Sequence, residues 1–329
     1  MYKRQVKKSI DWFCDTATIT DLDTRNRFIQ QFTQCVSIDT VNSLTDGQYS
    51  NNSLLALTKD WNLFLEYCQK KSVTALPAST AAVRLFLERE SRQRKYSTLR
   101  RYTVTISLVH KVLGMSDPTA HSSVQQSLAA LRIEKSGDAH PTVPFERKHL
   151  EALTEKLDNN PSLKVVRDLA IYHLMFECML KRSELKNMTP ADIEKNNDGF
   201  IVHIGTSSYP LSQHNQKYLL RWLSKLPVQN PYLFSAIDKH GNIGVEPLND
   251  SSIYRILRAA SDKLKLNVKF SGQSLRVGAV KELSRKGVKA IDIQHYGRWL
   301  SPAMPYQYLG NKITAEAEMM VFKRFKPWD

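Results

Sequence analysis

Three short segments near the C-terminus of this 329-residue chain carry the side chains best suited to chemistry. They are Ser271-Gly272-Gln273-Ser274-Leu275-Arg276-Val277-Gly278-Ala279, then Gly297-Arg298-Trp299, then Tyr308-Leu309-Gly310-Asn311. The spacing reads as a helix start bearing an arginine, a glycine turn bearing an indole, and a tyrosine nine residues past that indole. A tyrosine hydroxyl is an oxygen nucleophile, a guanidinium is a planar fork of donors that suits phosphate oxygens, and an indole N–H adds one more donor. Tyr306 lies close enough to Tyr308 to compete for the same role.

These side chains need elements to hold them. Apolar residues at helical spacing predict a helix from about Asn52-Ser53, with Leu54, Leu57, Trp61, Phe64, Leu65 and Cys68 as its buried stripe. Ser79 can cap the next helix, through Val83, Leu85, Phe86 and Leu87; Ser97 can cap another, ending at Gly114. A short helix around Ser122–Leu131 completes an all-helical first domain over residues 1–136. EKSGDAHPTVPF contains Gly137, Pro141 and Pro144 and predicts a linker at 137–145. Residues 146–329 read as a mixed α+β, mainly α, domain. Its expected helices are Arg147–Leu157, Lys164–Leu180, Asn215–Leu226, Ser251–Leu264, Leu275–Lys286 and Ala290–Tyr296. Phe200–Ile204 and a return near Tyr209 form its expected hairpin.

The charge balance narrows the partner. Lysine and arginine number 47 against 32 acidic residues, a net charge of +15. Such an excess favours a polyanion, and a basic helical domain joined to a larger one suggests a clamp around duplex DNA. The four cysteines, Cys14, Cys35, Cys68 and Cys178, form no CxxC pair and are expected as buried free thiols. No apolar run approaches the roughly 18 residues of a membrane span, and MYKRQVKK has no apolar segment behind it, so a cytoplasmic location is expected.

From about Leu54 onward the chain resembles the Cre-like tyrosine recombinases, the phage integrase family. The matching segments are LALTKDW, YSTLRRYTVTISLVHKVLG, PFER, VRDLAIYHLMFECML, IVHIG, SGQSLRVGA and YLGN, in that order. The resemblance implies attack of a tyrosine on a DNA phosphodiester, giving a 3′-phosphotyrosyl link, with protomers assembled on inverted-repeat sites. No metal or other cofactor is implied. Tyr308 would be the nucleophile, Arg276 the second arginine of the site, Trp299 an indole donor and Glu184 the acid that orients the first arginine. Three positions depart from the family pattern. The first arginine is Lys181, the strand-turn lysine is Ser208, and the histidine ahead of Arg276 is Gln273. Lysine lacks the bidentate fork, a serine hydroxyl cannot act as a cationic acid, and an amide cannot shuttle a proton. Lys195 and Lys217 are candidate substitutes for the missing groups.

By the same resemblance, DNA would be met by Asn52, Ser53, Ser97, Thr98, Arg100 and Arg101 in the first domain and by Tyr254, Arg255 and Arg258 in the second. The amphipathic segment Thr314–Phe325, with Met319, Met320, Phe322 and Phe325, would dock on a neighbouring protomer. The resulting expectation is a site-specific duplex DNA binder with impaired strand cleavage, used for target-site selection by a mobile element. Its partners would be an inverted-repeat-like duplex, further copies of itself, and transposase or other mobile-element proteins, with no membrane. An active recombinase and a transcriptional or plasmid-maintenance binder are the alternatives.

Overall fold

The computed structural model describes residues 18–138 and 141–324. Cys14, the MYKRQVKK start, Phe325 and the side chain of Phe322 lie outside what is described. The chain divides near residue 140 into two compact units.

The described part of the first unit is all helical: α1 (Leu22–Phe32), α2 (Ile38–Leu44), α3 (Asn51–Lys70), α4 (Thr80–Ser91), α5 (Tyr96–Val112) and α6 (Ser122–Glu134). The predicted stripe of α3 is buried throughout, and Trp61 packs between the rings of Phe32 and Phe64 at centroid distances of 5.7 and 5.8 Å. Its indole N–H donates to the Phe32 carbonyl at 3.2 Å, so the one polar atom of the core's largest side chain is satisfied. Caps set the helix starts. Ser79 caps α4 as expected, accepting from the Ala82 N–H at 3.1 Å. The cap of α3 is Ser50, which places Asn52 and Ser53 inside the first turn. Helix α5 starts after Lys95, so Ser97 is its second residue and caps nothing. Leu85 is exposed, and so is Cys35, which corrects its expected burial; Cys68 and Cys178 are buried.

The second unit is mainly helical with two small antiparallel sheets. In chain order it runs α7 (Arg147–Leu157), α8 (Leu163–Glu177), α9 (Arg182–Asn187), β1 (Ile193–Asn196), β2 (Gly199–Ile204), β3 (Ser207–Pro210) and α10 (Gln213–Leu223). It continues through β4 (Ser235–Ile237), β5 (Ile243–Pro247), α11 (Asp250–Lys263), α12 (Gly272–Arg285), α13 (Ala290–Tyr296), α14 (Ala303–Tyr308) and α15 (Lys312–Arg324). The β2–β3 hairpin was expected; β1, which extends it, and the β4–β5 pair were not. Helix α8 is buried over Val166–Phe176 and forms the axis of the core.

One expected boundary moves. Phe145, assigned to the linker, is fully buried in the second core, and its N–H donates to the Ser274 carbonyl at 2.8 Å. A Cβ on Gly278 would lie 1.7 Å from the Phe145 carbonyl oxygen, so only glycine lets α12 meet this segment. The segment thereby fixes the first turns of α12, where Arg276 resides.

Candidate active site

Ser271 caps α12, accepting from the Ser274 N–H, and the helix carries Arg276 inward to only 4% exposure. One terminal nitrogen of Arg276 donates to the Met179 carbonyl, the other to the Gly297 carbonyl at 2.7 Å. Its guanidinium carbon sits 4.3 Å from the centre of the Trp299 ring. That ring meets Tyr308 edge-on at 5.7 Å, and Tyr308 is half-buried at the end of α14. The predicted trio is therefore one contact chain. Gly297 allows it, because a Cβ there would fall 1.9 Å from the Trp299 ring.

Burial, followed by the positive charge of Arg298, lowers the Arg276 guanidinium to about 10. Burial raises the Tyr308 hydroxyl above its ordinary value, and the charge of Arg276 opposes that rise.

Arg298, to which the sequence reading gave no role, fills the centre of the site. Its Nε and Nη2 donate to the two carboxylate oxygens of Glu184 at 3.1 and 2.7 Å. The remaining donors reach the Met179 carbonyl at 2.9 Å, the Cys178 carbonyl at 3.1 Å, the Tyr296 carbonyl at 3.3 Å and the Tyr209 hydroxyl. All three guanidinium nitrogens are engaged. Glu184 also accepts from the backbone N–H of Lys181 at 2.7 Å, while the Lys181 ammonium stands 3.5 Å away and half exposed. Burial pushes the Glu184 carboxyl up, but the hydrogen bonds and charge of Arg298, aided by Lys181, hold it below its ordinary value. The expected acid is thus paired with an arginine from the wrong part of the sequence. The available signal was an arginine between Gly297 and Trp299 in a chain that lacks one at position 181.

Two backbone conformations frame this cluster. Arg298 has φ +58° and Met179 φ +49°, left-handed values that cost a non-glycine residue of order 1 kcal/mol or more.

Ser208 lies on β3, exposed and directly opposite His203 of β2. The hydroxyl pairs with His203 Nδ1 at 3.0 Å, and His203 Nε2 pairs with Glu194 of β1 at 2.8 Å. Gln273 is exposed in the first turn of α12. Lys217 is held by Asp158 at 2.7 Å, an engagement that weakens it as a substitute for a missing cation. Lys195 is exposed on β1.

The expected DNA-facing residues divide as well. Arg100, Asn52 and Ser97 are exposed, with Thr98 and Ser53 half-buried. Arg101 is instead turned onto Asp60, donating at 2.7 and 2.8 Å. On α11, Tyr254 and Arg255 are exposed, whereas Arg258 donates to the Tyr254 hydroxyl and lies over its ring at 4.7 Å. Among the described residues no group of three His, Cys, Asp or Glu could hold a metal ion, and no helix is long and apolar enough to cross a membrane.

The description "Phage integrase family" matches residues 144–313, slightly more than half of the chain. The chain belongs to the phage integrase family. It is 23% identical over 302 residues to the recombinase Cre of Escherichia phage P1, covering 84% of this chain and 87% of that protein. It is 25% identical over 279 residues to an integrase/recombinase XerD homologue of Selenomonas ruminantium, covering 79% and 82%. Its fold matches the site-specific recombinase XerH bound to a palindromic difH substrate, with a TM-score of 0.64, 15% identity and coverage of 94% and 91%. It also matches the Tn1549 transposon integrase bound to circular-intermediate DNA, with a TM-score of 0.60, 12% identity and coverage of 85% and 94%. It is thus a member of the tyrosine recombinase family and has the fold of these recombinases.

Proposed function

We propose that the protein binds duplex DNA at an inverted-repeat-like site, holds one phosphate between Arg276, Trp299 and Tyr308, and cleaves it poorly. The supporting observation is the spending of donors around Tyr308. Arg298 commits all its nitrogens to Glu184, to carbonyls and to Tyr209, whereas Arg276 gives two of an arginine's five N–H groups to the Met179 and Gly297 carbonyls and keeps the others for a phosphate. Cleavage gathers charge on the non-bridging oxygens and expels a 5′-alkoxide. With a hydroxyl at Ser208, the departing oxygen has no cationic acid at that position. Each group of this kind accounts for a few kcal/mol of barrier lowering, so their joint loss slows the step by orders of magnitude.

A site that binds but scarcely cuts suits target-site selection for a mobile element. Transposase subunits would be its partners, and α15 would join protomers on the DNA. A second reading, a working recombinase, draws on the His203–Ser208 contact, which puts an imidazole beside the position lacking lysine.

The test starts with duplexes selected from a random pool by the protein itself. A nicked suicide form of the selected site makes cleavage irreversible, and a denaturing gel reads covalent adduct. Tight binding with little adduct is expected. Abundant adduct lost in Tyr308→Phe would establish the second reading, and failure to select any duplex would overturn both.

A further inference from the structure

We infer that Arg298 is a positioning residue for the phosphate site: its fork on Glu184 fixes the two carbonyls that aim the guanidinium of Arg276. This rests on the proposal that Arg276 and Trp299 hold a DNA phosphate.

Arg276 has two carbonyl anchors, and Arg298 controls both. The first, Met179, accepts from Arg276 and from Arg298 Nη2 at 2.9 Å, so one oxygen ties the two guanidiniums together. The second, Gly297, belongs to the peptide that enters Arg298, and it accepts from Arg276 at 2.7 Å. The orientation of that peptide depends on the left-handed φ of Arg298, which an arginine adopts only when its surroundings hold it there. The surroundings here are the bidentate ion pair with Glu184 and the contacts to Cys178, Tyr209 and Tyr296. Such a charged fork fixes geometry as well as supplying energy.

The electrostatics agree with an anion site. Arg276, Arg298 and Lys181 surround a single carboxylate, Glu184, and the charge of Arg298 disfavours the charged form of Arg276. Two cations remain in excess in a partly dry pocket, and a phosphate would relieve their repulsion. A fork supplied by residue 181 would arrive from the start of α9. Supplied by residue 298, it also locks the turn that carries Trp299.

The experiment uses the full chain and the duplex it selects from a random pool. Neutral methylphosphonates replace the phosphates one at a time, and affinity is measured at each position. Wild type is expected to lose on the order of tenfold at one phosphate per half-site, the loss of a charge-assisted contact. Arg298→Gly, whose backbone accepts the left-handed turn, is expected to lose less than about threefold there, while other positions keep their wild-type pattern. The double change Lys181→Arg with Arg298→Gly returns a fork to Glu184 and is expected to recover most of the sensitivity. Arg298→Lys keeps the charge without the fork and is expected to resemble Arg298→Gly; it also serves if the glycine variant melts too early.

A merely structural arginine would weaken binding equally on natural and neutralised duplexes. Variants folded at the assay temperature that stay as phosphate-sensitive as wild type would therefore overturn the inference. If wild type itself shows no sensitive phosphate, the phosphate-site reading fails first and carries the inference with it.

Discussion

Arg101 and Asp60 form a bidentate ion pair between α5 and α3, with Asp60 almost fully buried beneath it. Thr105 adds a contact to the same carboxylate at 3.4 Å. A guanidinium held this way is committed to the fold, whereas Arg100, one residue earlier, projects into solvent.

The two arginines should therefore separate by assay. Arg101→Ala strands a buried carboxylate and is expected to cost about 2 kcal/mol of stability, read by denaturant unfolding. Arg100→Ala should leave the unfolding midpoint unchanged and weaken duplex binding. If Arg100 contacts a phosphate, the slope of log affinity against log salt falls by about 1. If it reads a base, preference at one position relaxes by roughly 1–3 kcal/mol. Equal loss of stability in both variants would contradict this division.

Periodic burial made much of this fold legible. The stripe of α3 and the cap at Ser79 follow from apolar spacing and hydroxyl placement alone. Strand β1 was not legible because its residues, Ile-Glu-Lys-Asn, are mostly solvent-facing and have no alternation to detect. Within the site, Arg276, Trp299 and Tyr308 could be read together because all three come from one C-terminal stretch, and their side chains are in contact in sequence order. The role of Arg298 did not show, because its partner lies 114 positions away and its backbone is left-handed at a non-glycine residue. Neither property has a local sequence signature. The fate of Arg101 was hidden for the same reason: nothing near it in sequence marks Asp60 as its counter-ion.

The C-terminal helix offers a second measurable division. Helix α15 buries Ala315 but leaves Ile313, Met319, Met320 and Val321 exposed. If this face joins protomers on DNA, removing residues 312–329 should leave binding to an isolated half-site within about twofold, far below the tenfold that 1.4 kcal/mol represents. Cooperative occupation of a two-half-site duplex should fall by tenfold or more, read by sedimentation or gel shift. Unchanged cooperativity would mean that the exposed face has no such role.

His173 predicts an acid limit to stability. It lies buried in α8, stacked on Tyr218 at 4.1 Å between rings, with Asn215 and Thr154 against its two nitrogens. Burial lowers its pKa from 6.5 to about 4, with the contact to Asn215 opposing the shift. Because the folded imidazole resists protonation, the unfolded chain binds more protons between these two values. Stability is then constant above about pH 6.5, falls as pH drops through the window, and levels off below the folded value. The full shift corresponds to roughly 3 kcal/mol as an order of magnitude. His110, whose pKa is also lowered by burial, acts in the same direction in the first unit, so the wild-type slope alone does not isolate His173. The difference between wild type and His173→Gln does. Unfolding at pH 7.5 should show the variant less stable from lost packing. The gap should narrow as pH falls toward 5, because only wild type carries the protonation penalty at this position. A gap that stays constant across the window would mean that His173 keeps its ordinary basicity in the folded protein.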